Sequence, residues 1–357
     1  MGIPKRLLII NRKQFGYHLD TYYYCRWASQ LFQITYQGFD ADQPKLELEG
    51  MAVRYVARRG SFVRRYLWFL RSCLAECGGH YDVIFVKYFP GCSLLRLRHP
   101  RKRFVLDIRT GSIAPNPLKR WGQDLLLRVE SLGFPHVTVI SASLARKLGL
   151  ARVHILPLGA DPIETSPKDF SALRLLYVGT FRGRRIEDTI RAFHRLHLAV
   201  GGAVEMTYDV IGDGPNGERD RLRAWVKDQG LGDVVSLPGF VHHRDLTRYY
   251  EKCNVGVSYI PINPIYDCQP PTKTFEYLLA GLPVIATNTS ENAAVITEHN
   301  GLLIEDTPEG FYAALQKLVE RRNVYSSDHI RTEALKYSWE TIVHSNLVPY
   351  INSLITA

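Results

Sequence analysis

The chain has 357 residues, 46% of them hydrophobic and 22% charged, proportions that speak against a disordered or fibrous protein. Single hydrophobic cores stop growing at roughly 250 to 300 residues, so at least two domains are expected. The six cysteines (25, 73, 77, 92, 253 and 268) form no Cys-x-x-Cys pair, which disfavours zinc-ribbon and thioredoxin chemistry and points to a reducing compartment. The longest apolar runs are four or five residues, and no basic stretch followed by a long apolar region opens the sequence. Neither a signal peptide nor a spanning helix is expected.

The net charge of +10 is uneven. Residues 1–150 hold 24 Lys and Arg against 10 Asp and Glu, a net of +14, whereas 151–357 hold 21 against 25, a net of −4. A basic half suggests an anionic partner: nucleic acid, a membrane face or a phosphorylated substrate.

Short β-rich apolar runs alternate with longer amphipathic stretches, the pattern of parallel sheets covered by helices. In chain order the runs 7–11, 32–36, 53–56, 83–87, 104–108, 137–141 and 153–156 predict strands of a first doubly wound, Rossmann-like domain. The runs 175–179, 208–212, 234–237, 255–259, 284–287 and 301–304 predict those of a second. Pro and Gly cluster between Pro157 and Pro162 without apolar periodicity, and mark the break. Ligands of open parallel sheets bind beyond the carboxyl ends of their strands, so two such domains imply a facing cleft.

The segment from Asp267 to Thr287 is the densest in chemistry. Two prolines, a candidate Thr cap and an apolar-periodic run ending at Gly281 describe a short helix followed at once by a strand. Backbone N–H groups near Thr272 and Lys273, the helix dipole and the Lys273 ammonium would converge on a phosphate. Glu276, one turn on, would accept hydrogen bonds from the vicinal hydroxyls of a ribose. The competing reading is an i,i+3 surface ion pair between Lys273 and Glu276.

The string Pro-Thr-Lys-Thr-Phe-Glu-Tyr-Leu-Leu-Ala-Gly-Leu-Pro-Val-Ile-Ala resembles the donor-site motif of the family-four, or group 1, retaining glycosyltransferases of GT-B architecture. The segment from Leu176 to Ala192, then Asp209-Val-Ile-Gly-Asp-Gly-Pro, Val235-Ser-Leu-Pro-Gly-Phe-Val, Asn300-Gly-Leu-Leu-Ile and Ser338-Trp-Glu extend the resemblance over about 172–350. The lone Gly-x-Gly at Gly212 and Gly214 would be weak by itself. The resemblance implies an α/β fold of two doubly wound domains: an acceptor-side domain at 1–160, a donor domain at 161–335 and a terminal helix at 336–357 packing back on the first. It further implies a basic pair after the first donor-domain strand that neutralises a nucleoside diphosphate. Arg182, Arg184 and Arg185 occupy that loop, with Arg184 where the family's Lys precedes the helix; a solvated basic loop is the alternative. The family's second glutamate, eight residues before the one matching Glu276, is replaced by Cys268, and Asp267 beside it is the candidate substitute.

In the first half, Asn11-Arg12-Lys-Gln-Phe-Gly16-Tyr-His18 follows the first strand, and a helix begins at a cap of Asp20 or Thr21. Gly16 permits close backbone approach, and in the family this loop meets the donor phosphates and the acceptor; Arg12 and His18 are its acceptor-side candidates. Asp107 and Arg109, at the carboxyl end of another strand, are cleft candidates or a pair holding the loop. From Ser61 to Leu74, Arg64, Arg65 and Arg71 mix with Tyr66, Trp68 and Phe69, a surface suited to an anionic bilayer or a core helix with a basic edge. Nucleic acid is not expected, since no helix-turn-helix, RNP-like or zinc-finger spacing occurs.

The expectation is therefore a metal-independent retaining enzyme, cytoplasmic and peripheral on the membrane, that uses a UDP- or GDP-linked sugar and no further cofactor. Its acceptor would be a glycan or a lipid-linked group in cell-surface polysaccharide synthesis. A binding-only partner subunit and a sugar-nucleotide epimerase are the alternatives.

Overall fold

Continuous runs of Leu, Ile, Val and Phe form strands buried on both faces, as parallel sheets covered by helices require. In the computed structural model, which describes residues 4–356, they build two units. One comprises the residues up to Gly159 together with those from Trp339 onward; the other is Ala160–Ser338.

The first unit has a seven-stranded sheet of β1 (Arg6–Ile10), β2 (Gln33–Asp40), β3 (Met51–Ala57), β4 (Val83–Lys87), β5 (Phe104–Ile108), β6 (His136–Val139) and β7 (His154–Ile155). The spatial order is β3-β2-β1-β4-β5-β6-β7 with every pairing parallel. Helices α1 (Leu19–Ala28), α2 (Phe62–Cys77), α3 (Ser93–Arg98), α4 (Pro117–Ser131) and α5 (Ala142–Leu148) connect the strands. Ser61, Asn116 and Ser141 cap three of these helices by accepting from the amides of Arg64, Lys119 and Leu144. The expected sixth strand accordingly stops at Val139, because Ser141 serves the following helix.

The second unit repeats the plan with β8 (Leu173–Val178), β9 (Met206–Ile211), β10 (Val235–Gly239), β11 (Val255–Ser258), β12 (Val284–Thr287) and β13 (Gly301–Ile304). Their order is β10-β9-β8-β11-β12-β13, again all parallel. Its helices are α6 (Ile186–Val200), α7 (Glu218–Asp228), α8 (Thr247–Lys252), α9 (Thr272–Leu279), α10 (Ser290–Ala293), α11 (Pro308–Arg321) and α12 (Ser327–Ala334).

The chain then returns to the first unit as α13 (Trp339–Ile342), a π-helical turn over Val343–Leu347, and α14 (Val348–Thr356). Trp339 is buried there, stacked on Tyr23 at 5.3 Å and edge-on to Tyr24 at 5.9 Å. His154 Nε2 donates to Asn346 Oδ1 at 2.6 Å and the ring stacks on Tyr350 at 4.0 Å, fastening the run to β7.

Strand order reverses between β1 and β4 in one sheet and between β8 and β11 in the other. At such switch points the loops diverge and leave a crevice beyond the strand ends. Among the described residues no helix is long and apolar enough to cross a membrane.

Candidate functional site

In the second unit the switch point is occupied by two segments. One is the loop Gly179–Arg185 after β8; the other is the start of α9, reached from β11 through residues 259–271. The loop is set by glycine chemistry. Gly179 and Gly212 have φ of 150° and 138°, and a Cβ on Gly212 would lie 1.8 Å from the Gly179 carbonyl oxygen. Only glycine lets the ends of β8 and β9 approach this closely.

Helix α9 begins at Thr272 with Pro271 in the capping position, and no side chain satisfies its first amides. The expected Thr272 cap is not formed. Thr274, inside the first turn, is spent on structure instead, its hydroxyl donating to Asn292 Oδ1 at 3.0 Å and hydrogen-bonded with the Ser258 hydroxyl at 2.8 Å. The amino end of α9 thus keeps free donors and a positive dipole.

Lys273 and Glu276 do not form the surface ion pair that their spacing allows. The Lys273 ammonium lies 3.8 Å from the centroid of the Tyr177 ring, and Tyr250 Oη donates to Glu276 Oε2 at 3.0 Å. Burial chiefly, and then the nearby Arg184 charge, push the Lys273 pKa down to about 7, against the pull of Glu276. Burial likewise raises the Glu276 carboxyl above the usual range, opposed first by the Tyr250 hydrogen bond. An anion arriving here would find a lysine that gains charge stability by binding it.

Arg184 packs its guanidinium 4.0 Å above Tyr266, and its buried Nη1 has no hydrogen-bond partner. The neighbouring arginines differ. Arg185, held left-handed at φ 50°, pairs with Asp306 at 3.0 Å and with Asp188 at 3.5 Å, so it anchors the start of α6. Arg182 is exposed on the loop. Asp267 turns away from the amino end of α9: its carboxylate accepts from the Ser290 amide at 2.8 Å and from Ser290 Oγ at 2.7 Å, tying the loop to α10.

In the first unit, Gly16 (φ 89°) turns the loop after β1, backed by Leu46. His18 sits at the capping position of α1 without a cap bond; its Nδ1 lies 3.2 Å from Thr21 Oγ1 and its Nε2 contacts Lys87 Nζ. Burial pushes the Lys87 pKa down to about 7, with Asp107 opposing. Asp20, expected as a cap, lies inside the helix and receives a 2.5 Å bond from Arg109 Nε. Arg109 is buried, with its other nitrogens on the carbonyls of Leu156 and Pro157. Asp107 is wholly buried and accepts from Thr138 at 2.8 Å. Asp107 and Arg109 approach to 4.0 Å, and the hydrogen bonds of Arg109 run to α1 and to the segment after β7, not to the loop that follows β5. Phe69 of α2, grouped above with the surface aromatics, is fully buried against Phe39 and Phe89.

The sequence contains one Asp-x-Asp, Asp40-Ala41-Asp42, at the end of β2. Asp40 accepts from the Asp42 amide and pairs with Lys45 at 3.3 Å.

Residues that sequence reasoning missed are the supports: Tyr177, Tyr250, Tyr266 and Lys87. Tyr177 and Lys87 lie at the carboxyl ends of buried strands, where position alone marks a side chain for a site.

Residues 172–321 match the family model described as Glycosyl transferases group 1. No curated protein matches the chain. Among solved structures, sucrose-phosphate synthase from Thermosynechococcus elongatus superposes with a TM-score of 0.71 at 17% identity, covering 99% of this chain and 100% of that one. HepE of Anabaena in complex with UDP gives 0.71 at 15% identity, covering 98% and 100%. The apo form of the lipopolysaccharide outer core galactosyltransferase WaaB gives 0.72 at 14% identity, covering 99% of each chain. The fold is the GT-B glycosyltransferase fold, and the second unit carries the group 1 glycosyl transferase domain.

Proposed function

We propose that this glycosyltransferase moves a sugar from a nucleoside diphosphate to a glycan or lipid-linked acceptor, with retention and without a metal ion. The observation that carries the reading is the pairing at the amino end of α9. Lys273 and Glu276 face the same switch point, yet each is held by a tyrosine and not by the other. Lys273, Arg184 and the free amides near Thr272 supply positive potential for the diphosphate, while Glu276 supplies a carboxylate for the ribose hydroxyls.

As the glycosidic bond breaks, charge collects on the leaving diphosphate. Cations fixed there before the reaction stabilise that charge more than they stabilise the bound substrate. Gly212 and Gly179 keep the loop close enough for backbone contact. Arg182 is exposed on the loop and free to reach the nucleotide, whereas Arg185 and Asp267 hold the surrounding loops in place. On the acceptor side, Arg12, Gly16 and His18 belong to the β1 loop, and Arg109 holds the first turn of the helix that follows that loop through Asp20. UDP is the first nucleotide to test, because HepE is described in complex with UDP and with UDP-glucose.

Membrane association from the cytoplasmic face is proposed on the exposed faces of the first unit. Leu118, Trp121, Leu125, Val129 and Leu132 form one exposed stripe along α4, at helical spacing, beside Lys119, Arg120 and Arg128. Phe62, Leu67 and Trp68 are exposed on α2 with Arg64 and Arg71. Apolar stripes bordered by cations suit an anionic bilayer.

The deciding experiment is calorimetric or thermal-shift titration with UDP, GDP, ADP, TDP and their sugars, on the wild type and on Glu276→Ala. Ligand at about 100 times its dissociation constant adds roughly 2.7 kcal/mol of stability. A response to one nucleotide that fades in the variant supports the reading; a folded protein that answers none of them overturns it.

A further inference from the structure

The first unit has a pocket of about 600 Å³ at its own switch point, beyond the ends of β1, β2, β3 and β4. Arg12 and Lys13 enter it from the β1 loop, Arg58 from the end of β3, Arg65 from α2 and Lys87 from the end of β4. No Asp or Glu lines it.

Four cations around one cavity, with Lys87 beside them, repel one another, and each of the four would be cheaper to place beside a carboxylate or in open water. Among the described residues, Lys13, Arg58 and Arg65 make no side-chain ion pair or hydrogen bond. Arg12 Nε is buried with no hydrogen-bond partner, although its guanidinium lies 5.4 Å from the Tyr66 ring centroid. Arginine nitrogens kept dry and unpaired are held for an incoming acceptor of hydrogen bonds. Lys87 lowers its own cost of burial by a pKa near 7, which a bound anion would raise again. The walls between the cations are aromatic, Tyr17, Phe62 and Tyr66 among them, and give a flat ring or an apolar chain somewhere to lie. The volume falls in the range of small-molecule sites, roughly 300 to 1,000 Å³, and well exceeds what one inorganic ion needs.

We propose that this pocket binds the acceptor and that the acceptor is phosphorylated: a phosphate or diphosphate ester whose anionic group is held by Arg12, Arg58 and Arg65, with Lys13 and Lys87 at its edge. The proposal rests on the reading of the protein as a transferase, and goes beyond it by giving the acceptor a charge. A soluble sugar phosphate and a lipid-linked sugar diphosphate share the chemistry.

The test uses the full chain, wild type and Arg58→Gln/Arg65→Gln. Arg58 is exposed and Arg65 partly exposed, and an unchanged circular dichroism spectrum and thermal unfolding curve show that the variant is folded. Titrations are run with a hexose 6-phosphate, with a short-chain prenyl diphosphate sugar and with the neutral hexose, beside the nucleotide-sugar. The expected result is binding of one of the two phosphorylated probes, not of the hexose, weakened about tenfold or more in the variant as two charge-assisted contacts are lost. Whichever of the two binds names the source.

Three results would overturn the proposal: equal binding of the phosphorylated probe by wild type and variant, binding of neither phosphorylated probe while the nucleotide-sugar still binds, or loss of nucleotide-sugar affinity in the folded variant. The last would assign these arginines to the donor diphosphate. Phosphorylated-probe binding that depends on the arginines, with no response to any nucleotide, would uphold the pocket and sink the transferase reading separately.

Discussion

The Lys273 ammonium rests 3.8 Å from the centroid of the Tyr177 ring, the aromatic side chain that ends the first strand core of its own sheet. Tyr177 is buried and donates its hydroxyl to the Thr180 carbonyl at 2.7 Å, so the ring is fixed by the same loop that carries Arg184. The tyrosine gives the lysine an attractive face without neutralising it, worth about 0.5 to 2 kcal/mol. A carboxylate in that place would compete with any incoming phosphate.

This arrangement makes donor affinity depend on pH with a definite sign. Lys273 titrates at about 7 in the free protein, and a bound diphosphate favours its charged form and raises that value. Below pH 7 the lysine is already charged, so nucleotide-sugar affinity is level as far as this group is concerned. Above it, each complex must take up a proton, and affinity falls by at most about tenfold per pH unit. Lys273→Arg, which stays charged throughout, should flatten the curve between pH 6 and 9. Titration calorimetry with the sugar nucleotide checks this, and an unchanged slope in the arginine variant would count against the assignment.

Lys273→Ala should separate turnover from binding. If the ammonium acts mainly on charge that develops as the bond breaks, kcat drops by about 100- to 1,000-fold while the donor dissociation constant moves much less. Glu276→Gln should do the reverse, weakening the donor first, because the proposed function gives it the ribose and not the reacting atoms. Single-turnover rates beside equilibrium binding distinguish the two, and a pure affinity loss in Lys273→Ala would remove it from the chemical step.

Gly212→Ala should damage the second unit through geometry alone. The new methyl group would fall 1.8 Å from the Gly179 carbonyl oxygen, which is backbone and has no rotamer in which to escape. The ends of β8 and β9 must part, at a cost of about 2 to 4 kcal/mol, and the loop Gly179–Arg185 shifts with them. Gly217→Ala is the control: its φ of 69° is also left-handed, but nothing lies within 4 Å of the added carbon, so the cost stays near 1 kcal/mol. Thermal unfolding of both variants tests the difference.

The strands and sheets were legible because parallel strands buried on both faces need uninterrupted apolar runs, and turns between them need Gly and Pro. The group around Thr272, Lys273 and Glu276 was legible because it lies in one short stretch, where helix geometry alone brings the side chains together. What the residues did not announce was assembled at a distance. Tyr177, Tyr250 and Tyr266 reach Lys273, Glu276 and Arg184 from three separate segments. Asp20 has every local mark of a helix cap, yet a buried guanidinium 89 residues away outbids the local amides for its carboxylate. Asp267 fits the place of a missing glutamate by sequence, and only the fold shows it committed to Ser290. Arg12, Arg58, Arg65 and Lys87 likewise come from four elements that share nothing but the switch point of the first sheet.

The Asp20–Arg109 pair yields the last prediction. Arg109 joins the end of β5 to α1 through Asp20 and to the segment after β7 through two carbonyls, all within the first unit. Burial would lower the arginine's pKa, but Asp20, Tyr24 and Asp107 together more than offset that, and the guanidinium remains charged at any working pH. Removing one partner leaves the other charge buried without its hydrogen-bonded counter-ion, so Asp20→Asn or Arg109→Met should each cost about 3 to 5 kcal/mol. The double variant should be less unstable than the sum of the two, because no orphan charge remains. Nucleotide-sugar affinity, which the proposed function assigns to the second unit, should stay at the wild-type level in every variant that folds. A double-mutant cycle read by chemical unfolding, alongside nucleotide titration, tests both halves. Additive costs would mean that the pair carries no coupling. A selective loss of turnover with stability intact would instead place Arg109 in contact with substrate.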